Sequence, residues 1–168
     1  DPSLDPLWDL VQDLGISIHW YAGKLRGFSG EDHIEELRNF ITWAEAHPDI
    51  PSILTHALAT IHLNKDKPER FTIPEELFTL MNFPNWHMEL MLHLMAHDIE
   101  FPPYEPNLQK IVAQLVNHIG ADRLVWGSDM PACERTVTYK QSMILFQTQC
   151  DFLTDEQRDL IMGGNLSR

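Results

Sequence analysis

Short apolar runs recur along this chain at a steady interval, and that interval restricts the fold more than any single motif does. The runs open near residues 16, 52, 86 and 123, so they lie 34 to 37 residues apart. They read as strands over Gly15–Tyr21, Pro51–His56, Trp86–Leu92 and Arg123–Trp126. Between them lie amphipathic segments. Pro6 opens a helix over Asp5–Leu14, with Leu7, Leu10, Val11 and Leu14 at helical spacing. A second helix starts at Ser29, where Ser29 and Asp32 resemble a capping box and Ile34, Leu37, Ile41 and Ala44 share a face. Further helices are expected over Glu75–Met81, Asn107–Ile119, Thr138–Gln149 and Thr154–Met162, the last capped by Thr154 with Gln157. Strand and helix alternating at a fixed interval predict βα units around a parallel sheet. Four such units fit a small doubly wound sheet or half of an eight-unit barrel, and the spacing alone does not choose.

Composition narrows the partners. The chain has 12 basic and 25 acidic residues, a net charge of −13, and 43% apolar residues. That is enough apolar matter for one packed domain over 1–168, and too acidic a balance for a nucleic-acid or anionic-membrane surface. No run reaches the length of a membrane span, and the opening DPSLDP has no basic, apolar leader character. Cys133 and Cys150 alone make no disulfide framework, so a reducing, cytoplasmic setting is expected. No strand is followed by a glycine-rich phosphate loop, which argues against a nucleotide-binding domain.

Ligands of parallel α/β proteins bind where the carboxyl ends of the strands emerge. Three of the four predicted ends carry a metal-ligand residue type: His19, His56 and Asp129. Neutral imidazole and carboxylate suit a divalent metal, and a metal-bound water is a nucleophile at neutral pH. Each residue also has a plainer reading. A lone strand-end histidine is more often a hydrogen-bonded structural group, and Asp129 in Gly127-Ser-Asp-Met-Pro131 could make an Asx turn. His93 and His97 read better as half-buried positions than as ligands. Met88, Met91 and Met95 read as core, and Cys133 as a nucleophile only with a base nearby.

His19 on its apolar strand, Thr55-His56 one unit later and Arg123-Leu-Val-Trp-Gly-Ser-Asp129-Met-Pro131 two units further resemble the C-terminal half of the amidohydrolase superfamily. The match is narrower still to its amidohydrolase-related branch of aromatic-acid decarboxylases and lactone hydrolases. Asp5-Pro6-Leu7-Trp8, Gly120-Ala-Asp122-Arg123, Thr138-Tyr139 and Gly163-Gly164-Asn165 extend the resemblance over nearly the whole chain. It implies strands five to eight of a (β/α)8 TIM-type barrel. It also implies His19 as the strand-five metal ligand, His56 as the histidine facing substrate or activated water, and Asp129 as metal ligand and proton shuttle. The metal implied is zinc, with manganese as the alternative, and such proteins often form homodimers. The family's first-strand His-x-His pair occurs nowhere in these 168 residues. The expectation is therefore that another segment or a second chain supplies strands one to four.

The function implied is a metal-dependent hydrolase acting on a small carboxylated or lactone-like substrate. Asp129 would deprotonate the attacking water and His56 would steady the oxyanion. The alternatives are non-oxidative decarboxylation of an aromatic or unsaturated acid, and a non-catalytic half-barrel module. Substrate contacts are expected from Trp20, Tyr21, Tyr104 and Arg135, alongside Cys133 and Glu134. Arg135 is the residue best suited to pair with a substrate carboxylate.

Overall fold

A computed structural model describes residues 2–22, 30–63, 71–91, 106–135 and 137–167. Four parallel strands, β1 (Ile18–Tyr21), β2 (Ser52–Thr55), β5 (Trp86–Leu90) and β6 (Leu124–Trp126), form one sheet in the order β1-β2-β5-β6. The strands lie in the sheet in their order along the chain, joined by helices, as expected of successive units of a barrel wall. A short antiparallel pair, β3 (His62–Leu63) with β4 (Phe71–Thr72), sits in the second crossover. Two-residue strands have no periodicity to read, which is why the sequence pattern did not reveal them.

Register divides the sheet into two unlike faces. Ile18 pairs with Ser52, Ser52 with Trp86, and Met88 with Leu124. Trp20, Leu54, Trp86, Met88, Leu90, Leu124 and Trp126 therefore share one face, which packs in the hydrophobic core against the helices. His19, Tyr21, Ile53, Thr55, His87, Glu89 and Val125 share the other. Along β5 burial alternates residue by residue: Trp86, Met88 and Leu90 are buried, while His87 and Glu89 are half-buried. A barrel wall has this anatomy, with helices outside and chemistry inside.

Helices α1 (Asp5–Asp13), α2 (Gly30–Ala46), α3 (Glu75–Met81), α4 (Pro106–Ile119), α5 (Tyr139–Ile144) and α6 (Asp155–Ile161) follow the expected spans closely. α3 carries Glu75 and Glu76 in its first turn, where carboxylates oppose the positive end of the helix dipole, and buries Leu77, Leu80 and Met81. α4 buries Leu108, Ile111, Val112 and Leu115, a helical stripe. Both C-terminal helices open with a reciprocal capping box, Thr138 with Gln141 and Thr154 with Gln157. The predicted cap at Ser29 lies outside the described residues. The helix expected over Thr138–Gln149 is not uniform: after Ile144 it widens into a π turn, Leu145–Gln149. The Phe146 carbonyl there accepts from Arg158 Nε at 3.1 Å, an outside donor drawing on that turn.

The base of the sheet is fixed by one buried-stem cation and one amide. Arg123 Nε and Nη2 donate to the Trp86 carbonyl, and Nη2 also to that of Phe83, tying β6 to the turn before β5. Asn165 Nδ2 donates to the carbonyls of Ala121 and Leu124 at 2.8 Å each, anchoring the C-terminal segment to the start of β6.

Candidate active site

The carboxyl ends of β2 and β6 each run into a non-glycine residue with left-handed backbone: His56 at φ 60° and Asp129 at φ 49°. They are the only two such residues among those described. Such conformations cost roughly 1–3 kcal/mol each and cluster at ligand sites. Here the turn bends each side chain back over the rim. β5 separates the two strands, a span of about 9–10 Å, yet His56 Nε2 lies 3.5 Å from Asp129 Oδ2. The turns that carry the two residues beyond the strand ends close that gap.

His56 is held from three sides. Thr55 Oγ1 donates to the Trp20 carbonyl at 2.9 Å, so its oxygen accepts from His56 Nδ1 at 3.2 Å. That arrangement puts the proton on Nδ1 and turns Nε2 toward Asp129. The Tyr21 ring lies 4.3 Å from the imidazole, centroid to centroid.

Glu89 forms the floor, and the sequence reading did not select it. It stands on the inner face, the fourth of the five residues of β5, against the Gly127-Ser-Asp129 turn. A Cβ at the buried Gly127 would run into its carboxyl group, so glycine there makes the room that Glu89 fills. Burial first, and the neighbouring Asp129 charge second, push its carboxyl up to about 7. The signal in the sequence was a lone carboxylate at the centre of an apolar strand, which period-two alternation turns away from the core. One residue pair below, burial and then the Arg123 guanidinium lower the His87 imidazole, against an opposing pull from Asp122.

The remaining predicted residues fall in different places. His19 is the second residue of β1, opposite Ile53 and three positions below the level of His56, exposed on the inner face. Among the described residues no three His, Cys, Asp or Glu side chains converge to hold a metal. The structure thus brings His56 and Asp129 together, with Tyr21 against them, and does not bring His19 into a three-ligand group. Trp20 corrects its expected role. Strand alternation turns it to the helix side, where it packs against Trp43 at 4.7 Å and Phe40 at 5.3 Å and donates to Ser52 Oγ at 3.1 Å. Arg135 and Glu134 are exposed in the turn Ala132–Arg135. Cys133 is buried in that turn, 3.2 Å from Met130 Sδ, and burial raises its thiol. A raised thiol beneath the surface is no nucleophile. Cys150, also buried, is pushed up to about 12. Tyr104, His93 and His97 lie outside the described residues.

The sequence model of the amidohydrolase family matches residues 1–165. The chain belongs to the amidohydrolase family. Its fold recurs in a zinc-bound amidohydrolase of Burkholderia multivorans, 16% identical, with a TM-score of 0.70 over 100% of this chain and 57% of that one. A Rhizobium 2,6-dihydroxybenzoate decarboxylase is 16% identical with a TM-score of 0.62, covering 100% of this chain and 55% of that one. A Pseudomonas putida protein designated a 2-pyrone-4,6-dicarboxylic acid hydrolase is 17% identical with a TM-score of 0.52, covering 88% and 59%. No curated protein matches the chain significantly. The amidohydrolase chain thus spans about half the length of the structures it matches, and its four units are half of a TIM-type barrel. Among the described residues no helix is long and apolar enough to cross a membrane.

The donors present fit part of a zinc site. A catalytic zinc takes three protein ligands, and a carboxylate oxygen is one of its donor types. Asp129 would supply that ligand, while His56 Nε2, 3.5 Å from Asp129 Oδ2, stands beside it as a proton-handling group.

Proposed function

We propose that this chain carries the proton-transfer half of a metal-dependent hydrolase that opens small carboxylated lactones or related esters. One observation carries the reading: an imidazole nitrogen and a carboxylate oxygen, each on a strained strand-end residue, meet at 3.5 Å on the inner rim of the sheet. A zinc ion held in part by Asp129 would polarise the substrate carbonyl and acidify a bound water.

The chain's own residues do the rest. Thr55 orients His56 so that Nε2 and Asp129 Oδ2 share whatever proton arrives between them. The pair takes a proton from the attacking water as its oxygen bonds to the carbonyl carbon and the carbonyl π electrons move onto oxygen. Once protonated, Nε2–H donates to that oxyanion. When the intermediate collapses and the ring C–O bond breaks, the same proton passes to the leaving oxygen. Tyr21 packs on the imidazole and limits its rotation. Arg135 and Tyr104 are proposed to meet the substrate's carboxylates.

Decarboxylation is the second reading, and Glu89 favours it. A carboxyl about half protonated at neutral pH beside Asp129 suits delivery of a proton to a ring carbon as carbon dioxide leaves. The test supplies the zinc-loaded protein with 2-pyrone-4,6-dicarboxylate and, separately, 2,6-dihydroxybenzoate. The proposal expects lactone opening, seen as loss of pyrone absorbance, and its disappearance in Asp129→Asn. Carbon dioxide release from the benzoate without lactone opening replaces it with the second reading. Turnover of neither, together with no zinc bound, leaves a non-catalytic module.

A further inference from the structure

Beside the rim pair stands a pair of sulfurs that neither reaction uses. Met130 directly follows Asp129 and is 47% exposed. The other described methionines lie deeper: Met81, Met88 and Met91 are buried, and Met143 and Met162 are half-buried. The exposed side chain is nonetheless fixed at its sulfur. Cys133, wholly buried, donates Sγ–H to Met130 Sδ at 3.2 Å. The same residue donates its backbone amide to the Asp129 carbonyl at 3.0 Å, and the Met130 amide donates to Ser128 Oγ at 3.3 Å. Cys133 thus ties down both the Met130 side chain and the left-handed backbone of Asp129, which carries the rim carboxylate.

We propose that Met130 is a modification site, oxidised to its sulfoxide by a peroxide-class oxidant, and that Cys133 passes the change to the Asp129 turn. A thioether sulfur has two lone pairs, and the thiol takes one. The other attacks an oxygen of hydrogen peroxide, so that an S–O bond forms as the O–O bond breaks. Sulfur gives up two electrons, and the departing oxygen takes the proton of the transferred one and leaves as water. Access chooses the sulfur, since the thioether is exposed and the thiol beneath it is buried. Space carries the change inward: sulfurs 3.2 Å apart leave no room between them for an oxygen atom. Oxidation also makes an apolar side chain polar. Met130 therefore turns its S–O group to water and gives up the thiol. Cys133 loses that cover, and the Asp129 turn loses one of its two ties to Cys133. The site depends on neither hydrolysis nor decarboxylation and goes beyond both readings of the rim.

Hydrogen peroxide treatment of the intact protein tests it. Cleavage after Arg123 and Arg135 releases both sulfurs in one peptide, Leu124–Arg135, whose fragment masses place any added oxygen. Met130 should gain oxygen at least about tenfold faster than Met81, Met88 or Met91. Iodoacetamide labelling of Cys133 should then rise at least about tenfold, and methionine sulfoxide reductase should reverse the rise. Met130→Leu keeps an apolar cover over Cys133 with no sulfur to oxidise, so peroxide should leave its labelling within about twofold. Oxidation at Met130 no faster than at Met88 overturns the proposal, as does oxygen arriving first on Cys133. Cys133 labelling unchanged after Met130 oxidation in the wild-type protein overturns it too, even if the variant fails to fold.

Discussion

The two faces of this four-stranded sheet obey different rules, and Trp20 and Tyr21 show the contrast across one peptide bond. Trp20 points outward into a cluster of Phe40, Trp43 and Trp86, where its indole is packed and hydrogen-bonded. Tyr21 points inward, exposed, against the imidazole of His56. The outer face gains its stability from close packing of apolar rings. The inner face spends some of that stability on strained turns, a half-buried carboxyl group and histidines held where they can react. A residue's chemistry in such a wall is decided by its parity along the strand before its type.

That contrast breaks most visibly at the rim. Asp129→Asn should lower lactone turnover by about a thousandfold while leaving the circular dichroism spectrum intact. A loss of tenfold or less would make Asp129 a turn residue. On the outer face, Trp86→Ala should cost about 3–5 kcal/mol in urea unfolding, because the ring is 1% exposed and leaves a cavity. On the inner face His87→Ala should cost under about 1 kcal/mol, since that side chain is only half-buried. Equal costs would erase the distinction between the faces.

Gly127→Ala sharpens it. The added methyl group meets Glu89 and should destabilise the fold by about 1–3 kcal/mol. Glu89→Ala in the same chain should restore most of that loss, and a purely additive double variant would show that the two residues do not share the space. The smallest effect concerns pH. The Glu89 carboxyl is raised to about 7 in the fold from an ordinary 4.5, so the folded state holds its proton more tightly than the unfolded chain does. Its contribution to stability therefore falls as pH rises between about 4.5 and 7 and is level above that. Glu89→Gln should raise the Tm more at pH 8 than at pH 4.5, and an equal shift at both would remove the buried-acid description.

The architecture was legible because its signals are local and repeated. Strand spacing, Pro6 at a helix start and the Thr154 cap each act within a few residues of themselves. The rim pair was legible as residue types at strand ends, and the structure adds that Asp129 reaches His56 across an intervening strand. Trp20 was misread because an aromatic beside a candidate ligand suggests a substrate contact, while strand parity turns it to the core. His19 was read as a strand-end ligand although the run was read to Tyr21, and β1 does end at Tyr21. Glu89 went unselected because its role depends on Gly127, 38 positions later, having no side chain. No window along the sequence contains both.

Isothermal titration of zinc into wild type, His56→Ala, Asp129→Asn and the double variant tests the central claim most directly. If Asp129 is a ligand and His56 the proton partner beside it, Asp129→Asn weakens zinc binding at least about tenfold, His56→Ala leaves it within about twofold, and the double variant matches Asp129→Asn. Wild-type binding untouched by Asp129→Asn, or weakened as much by His56→Ala, would contradict this division of roles on the rim.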